Sequence, residues 1–215
     1  ALMARVIGFV CSKGGSGKST VVVNLGVALA RLGRKVVLLD GDLTMANLSL
    51  LLGVEDHKIT LHDVLAGEAP LSKALCRGPE GVRIVPGGIA LEGIQKAKLE
   101  RLRKVVDQLS KQFDFVLVDV PSGLDRDALT VMGLLKEAIM VVTPDLPTLS
   151  NALKTKLVCE RLNVKLLGVI LTRAKGGMSE ISEREISIAL DLPVLAVIPE
   201  DQAARHASAI GESVV

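Results

Sequence analysis

Eight consecutive residues, Lys13-Gly-Gly-Ser-Gly-Lys-Ser-Thr20, bring two lysines, three glycines and three hydroxyls together. Glycines at 14, 15 and 17 carry no Cβ, so consecutive backbone N–H groups can turn inward around an anion. An apolar run, Val6–Cys11, precedes this segment. A helical pattern over about residues 18–32 follows it and would aim its positive end at the same point. Lys18 adds a cation, and Ser19 offers a hydroxyl to Mg2+, which keeps several waters and needs few protein ligands. The chemistry these residues can do is phosphate binding. The common form of such a loop, Gly-x4-Gly-Lys-[Ser/Thr], is met at Gly17-Lys18-Ser19 but not at its first position, where Ser12 stands. The variant Lys-Gly-Gly-x-Gly-Lys-[Ser/Thr] is met throughout, and it makes Lys13 a second, additional lysine.

Acids end two apolar runs. Val36-Val37-Leu38-Leu39 leads to Asp40-Gly41-Asp42, and alternation sends both carboxylates to one side if the chain stays extended. Phe115-Val116-Leu117-Val118 leads to Asp119, then to Val120-Pro121-Ser122-Gly123. A carboxylate at the end of a strand beside a phosphate loop can hold Mg2+, directly or through water, or orient an attacking water. The turn at Pro121-Ser122-Gly123 is placed to sense a terminal phosphate.

These residues need a scaffold that gathers strand ends. Apolar, β-branched runs recur at Val6–Cys11, Val36–Leu39, Val82–Val85, Phe115–Val118, Ala138–Val142, Leu166–Leu171 and Val194–Ile198. Helical patterns separate them, at Lys18–Leu32, Gln95–Gln112, Thr148–Leu162 and Ser179–Leu190, the last with Ser179 as its cap. Such alternation predicts an α/β chain: a doubly wound, mostly parallel sheet with helices on both faces, Rossmann-like, whose ligand lies beyond the carboxyl ends of the strands. A length of 215 residues suits one domain, and 49% hydrophobic residues without a membrane-length apolar run suit strands buried on both faces. Three phenylalanines and no tryptophan or tyrosine argue against base stacking on single-stranded nucleic acid, and a net charge of +2 implies no polyanion by itself. The three cysteines have no metal-type spacing and read as reduced cytosolic thiols. Nothing at the start reads as a signal peptide. His62 reads as a surface residue, and the basic run Lys96–Lys104 as a solvated helix face.

The loop Lys13–Thr20 resembles the deviant Walker A motif of the MinD/ParA group of ATPases, a branch of the P-loop NTPases. Asp40–Leu48 resembles the first switch of MinD-type proteins, archaeal ones in particular, and Thr60–Ala69 the segment that follows it. Asp119–Leu124 is similar to the second switch and Val197–Asp201 to the late base-binding loop. The resemblance implies a septum-site-determining type of ATPase that dimerises face to face on ATP. Lys13 would reach across to the partner's phosphates, Lys18 would hold the β- and γ-phosphates, and Gly14, Gly15, Ser16, Gly17 and Thr20 would complete the cradle. Ser19 would ligate Mg2+, Asp119 would hold it through water, Asp40 would support the metal region, and Asp42 would orient or activate the attacking water. Adenine would rest near Thr172, Arg173, Pro199, Glu200 and Asp201.

The chain departs from the family pattern at Thr143 and Thr172, where Asn is common, at Asn151, where some relatives carry Asp, and at Cys11, where a small hydroxyl residue is usual. MinD-type chains usually continue past a segment like Gly211–Val215 into a final helix and an amphipathic membrane-targeting tail, so the C-terminal helix and tail are expected to be missing here. The implied function is spatial positioning, such as division-site placement, by a cytoplasmic ATPase acting at the inner face of the membrane, with itself and an activator protein as partners. The competing expectation is a ParA-like partition ATPase that binds nucleoid DNA as an ATP dimer. It is the weaker of the two, because Thr44–Leu52 follows the MinD pattern. An iron–sulfur carrier of the same fold would need a Cys-x-x-Cys, which is absent.

Overall fold

The computed structural model describes residues 4–54, 58–88, 99–177 and 180–201. His57, Lys96, Lys98, Ser179, His206 and Gly211–Val215 lie outside the described residues. Eight strands form one sheet: β1 (Arg5–Val10), β2 (Val36–Asp40), β3 (Cys76–Arg77), β4 (Arg83–Val85), β5 (Phe115–Asp119), β6 (Glu137–Val142), β7 (Lys165–Ala174) and β8 (Val194–Pro199). Their order is β3-β4-β2-β5-β1-β6-β7-β8, and every pair is parallel except β3–β4. The seven apolar runs all became strands. β3 is the addition: two residues paired antiparallel to β4 at the sheet edge, too short to leave a periodic signal.

Helices α1 (Lys18–Arg31), α2 (Leu48–Leu51), α3 (Leu61–Ala66), α4 (Leu71–Ala74), α5 (Leu102–Ser110), α6 (Arg126–Met132), α7 (Leu146–Arg161) and α8 (Glu183–Leu190) cover the sheet. Strand alternation sorts the core into two layers. Val36 and Leu38 of β2 and Leu117 of β5 pack with Val22, Val23 and Val27 of α1 on one face. Val37, Leu39, Val116 and Val118 pack on the other with Leu61 and Leu65 of α3, Leu102 and Leu109 of α5, and Ala128 of α6. Gly26 sets the spacing of α1 from the sheet, because a Cβ there would lie 2.6 Å from Cδ2 of Leu38.

Local chemistry corrects two expectations and part of a third. The last helix starts at Glu183, capped by Ser182, whose hydroxyl accepts from the Glu185 N–H while the Glu185 carboxylate accepts from the Ser182 N–H (2.8 Å). His62 is buried at 1% exposure, because the second position of α3 turns inward under the segment that follows β2. In the basic run Arg103 and Lys104 are exposed, as a solvated face requires, but Arg101 is half-buried and donates from Nη1 to the Leu65 carbonyl at the end of α3 (3.2 Å).

Candidate nucleotide site

Three strand ends meet at the site. β1 is central, with β5 on one side and β6 on the other, and β2 lies beyond β5. Register places Phe9 of β1 and Asp40 of β2 opposite Asp119 of β5. The chain leaving β1 therefore enters the phosphate loop beside Asp119 of the adjacent strand β5, with Asp40 of β2 one strand further on.

The loop is built as an anion cradle. Gly15 and Gly17 both take φ of +82°, a left-handed conformation that L side chains rarely adopt. Cβ atoms at Gly14 and Gly15 would meet nothing within 4 Å, so the loop borders open space. Gly17 caps α1 without a side chain, so no side-chain acceptor takes the first N–H groups of the helix. The Ser16 hydroxyl is buried and has no hydrogen-bond partner among the described residues. An orphaned hydroxyl, a free helix N-terminus and a lysine around one open space fit a phosphate group. The cavity measures about 580 Å³ and is lined by residues 14–20, Asp42–Met45, Asn47, Leu51, Pro121, Ser122, Asp125, Asp127 and Arg173.

Lys18 is 5% exposed, and its ammonium pairs with Oδ1 of Asp119. The Ser19 hydroxyl donates to Oδ2 of the same carboxylate (2.6 Å). Ser19 and Asp119 thus stand in direct contact. No cluster of three or more His, Cys, Asp or Glu that could hold a metal occurs among the described residues. That donor set fits Mg2+, which takes few protein ligands and draws the rest from phosphate and water.

Asp40 and Asp42 part company, because the chain turns after Asp40 instead of staying extended. Asp40 is 1% exposed, and its Oδ2 accepts from the N–H groups of Asn47 (3.0 Å) and Leu48 (3.1 Å). Its Oδ1 has no partner among the described residues. Burial, then the nearby charge of Asp119, push its pKa up to about 8. Asp42 is half-buried and lines the cavity, with Oδ1 accepting from Thr44 N–H (3.2 Å) and Met45 N–H (2.9 Å).

The two loop lysines face differently. Lys13 is exposed and lines a second cavity of about 630 Å³ with Gly14–Ser16, Thr143–Asp145, Thr148, Arg173, Lys175, Glu180 and Glu200. There the Asp145 carboxylate caps α7 and accepts from Thr148 N–H (2.8 Å) and Thr143 Oγ1 (2.5 Å). Burial pushes the Asp145 pKa up, but those hydrogen bonds and the positive charge of Lys13 outweigh it and hold the carboxyl below its usual range.

Arg173, at φ +55°, lines both cavities, and Glu200 pairs with Lys175 (3.2 Å). Pro199 pairs with Ala174 at the end of β8, with Glu200 and Asp201 following. Thr172 is buried, and its hydroxyl donates to the Ser16 carbonyl (2.5 Å), so its side chain braces the phosphate loop. The Cys11 thiol is buried and donates to the Ser122 hydroxyl (3.2 Å), tying the start of the loop to the turn after β5. Asp125 and Asp127 line the cavity without having been singled out in the sequence. Asp125 could have been read from its position three residues before Ala128, whose N–H it caps (2.9 Å).

A family model for the CobQ/CobB/MinD/ParA nucleotide binding domain matches residues 7–214. The chain belongs to this family. As a member of the MinD/ParA group it has the P-loop NTPase architecture expected from its sequence, and its domain is a nucleotide-binding one. The septum site-determining protein MinD of Pyrococcus horikoshii OT3, solved in complex with Mg-ADP, is 43% identical with a TM-score of 0.94, over 98% of this chain and 87% of that one. The cell division ATPase MinD of Pyrococcus furiosus is 42% identical with a TM-score of 0.94, over 98% and 90%. An uncharacterised ATP-binding protein of Methanocaldococcus jannaschii is 39% identical over 214 residues, 100% of this chain and 81% of its own length. The likeness to archaeal MinD proteins therefore extends over nearly the whole chain.

Proposed function

We propose that this chain is a MinD-type ATPase that binds Mg2+-ATP, dimerises on it and hydrolyses it to ADP and phosphate, and so times the placement of other cell components such as the division site. The observation that carries the reading is the different surroundings of the two loop lysines, Lys18 buried against Asp119 and Lys13 exposed near Asp145. An exposed lysine at the entrance of the phosphate loop, with no part in the lining of the cavity that holds Lys18, supports a role toward a second copy of the chain.

The division of labour follows from charge. Hydrolysis is mostly positioning plus neutralisation of the transferring phosphoryl group. Lys18, the glycine loop and the α1 N-terminus hold the phosphates. Ser19 and Asp119 would hold Mg2+, which when bound supplies positive charge against the phosphate oxygens. Asp42 keeps Oδ1 on the Thr44 and Met45 amides, so its second oxygen is left to orient a water on the cavity side. Lys13 from the partner makes the final neutralisation conditional on dimerisation, and loss of the terminal phosphate removes the reason to stay paired. Arg173 and the Pro199–Asp201 loop would border the base. On this reading the protein works in the cytoplasm at the inner face of the cell membrane, and an activator protein sets its rate. No helix among the described residues is long and apolar enough to cross a membrane.

The test is Asp42→Ala with ATP, read by size-exclusion chromatography and phosphate release. We expect an ATP-dependent dimer that persists and hydrolysis slowed at least ~100-fold, the usual loss when a general acid–base group is removed. A variant that hydrolyses normally, or never dimerises on ATP, overturns the reading. Salt-sensitive retention on duplex DNA in the presence of ATP would support a partition ATPase instead.

A further inference from the structure

His62 has two hydrogen bonds that join segments far apart in the chain. Nε2 meets the Leu43 carbonyl (2.8 Å) and Nδ1 meets the Gly88 N–H. A carbonyl can only accept and an amide N–H can only donate, so the partners fix the tautomer: the proton sits on Nε2. The Leu43 carbonyl belongs to the same peptide unit as the Thr44 N–H, which donates to Oδ1 of Asp42 (3.2 Å). That unit is planar, so it cannot rotate away from His62 without also leaving Asp42.

The surroundings are shaped for this contact. The start of α3 is locked by a capping box between Thr60 and Asp63, and the Leu61 N–H donates to the Pro86 carbonyl (2.8 Å). A Cβ at Gly88 would lie 2.8 Å from Nδ1 of His62, and one at Gly87 would lie 2.3 Å from Cβ of Ala46. Two consecutive glycines thus let the backbone after β4 press against both the imidazole and the segment that carries Asp42.

We propose that His62 is a positioning residue for hydrolysis: through the Leu43–Thr44 peptide it fixes the carboxylate of Asp42 at the mouth of the phosphate cavity. The proposal rests on the ATPase reading for its kinetic consequence, but not for its structural one.

Two near-isosteric variants of the whole chain separate the two hydrogen bonds. His62→Gln keeps a donor near the Nε2 position, toward Leu43. His62→Asn keeps an acceptor near the Nδ1 position, toward Gly88, and loses the Leu43 bond. We expect kcat for ATP hydrolysis to fall about tenfold in H62N, the worth of one hydrogen bond, with KM for ATP changed less than about twofold. In H62Q, kcat stays within about threefold of the unsubstituted chain.

Amide hydrogen exchange without nucleotide gives a second readout. Thr44 and Met45 should exchange about tenfold faster in H62N and at the original rate in H62Q, while amides of β1 and β5 keep theirs in both. Unchanged kcat and exchange in H62N overturn the proposal. So does an equal loss in both variants accompanied by faster exchange throughout the sheet, which would make His62 a packing residue only. If the unsubstituted chain does not hydrolyse ATP, the ATPase reading fails, and the exchange result still decides whether His62 holds the Asp42 segment.

Discussion

Replacing Asp40 by Asn should change the pH dependence of folding more than it changes the fold. Asp40 is 1% exposed, and its folded-state pKa is about 8, against an ordinary 3.8, because burial and the charge of Asp119 disfavour the ionised form. The folded value lies above the unfolded one. The stability tied to this carboxyl is therefore fully present below pH 3.8 and is lost as pH rises through about 8. Within that window the folded chain holds one proton more than the unfolded chain, which makes stability fall by about 1.4 kcal/mol per pH unit. Between pH 5 and pH 7 the nucleotide-free protein should lose about 2–3 kcal/mol from this group alone. Asn keeps the acceptor for the Asn47 and Leu48 amides and leaves the Oδ1 position as partnerless as it is now, but does not titrate. The assay is urea unfolding at pH 5, 6 and 7 with chelator and without nucleotide. The stability of Asp40→Asn relative to the unsubstituted chain should rise by about 2–3 kcal/mol across that range. Parallel pH profiles for the two chains would refute the reasoning.

Lys13→Ala removes a side chain that is exposed and outside the phosphate cavity. Nucleotide affinity measured on the monomer should change less than about threefold, while ATP-dependent dimerisation and hydrolysis fall at least ~100-fold. Hydrolysis at the original rate would mean that the lysine does not cross to a partner. Thr172→Val removes the donor to the Ser16 carbonyl and leaves that carbonyl buried, so nucleotide titration should show affinity weakened about five- to tenfold, the worth of one hydrogen bond in the loop. Affinity unchanged in that variant would place the bracing of the loop elsewhere.

The sheet was legible because its signals are local. A strand buried on both faces announces itself as a run of apolar, β-branched residues, and an acid at its end marks where it stops; Leu39-Asp40 and Val118-Asp119 needed no tertiary information. The phosphate loop was legible for the same reason, since eight adjacent residues carry its geometry. What stayed hidden depends on turns and on distant partners. Asp40 and Asp42 look equivalent by alternation, and only the turn after β2 sends one into the core and the other to the cavity. His62 looks like a surface residue on a short amphipathic segment, because its partners lie 19 and 26 residues away along the chain. Thr172 reads as a departure from a base-binding Asn, whereas its hydroxyl meets a loop carbonyl 156 residues earlier.

Taken together, these contacts divide the site into a braced floor and a charged cluster. Thr172 braces Ser16, Cys11 ties the loop entrance to Ser122, and Asp40 pins the start of α2 through two amides. Each of these is a buried or half-buried bond whose loss would leave a desolvated polar group, so the floor resists rearrangement. The charged cluster is electrostatic. Lys18 and Ser19 are both committed to Asp119, the same groups that phosphate and Mg2+ would claim. Asp119 keeps Lys18 oriented and balances its charge, so that a lysine with 5% exposure can be buried at all.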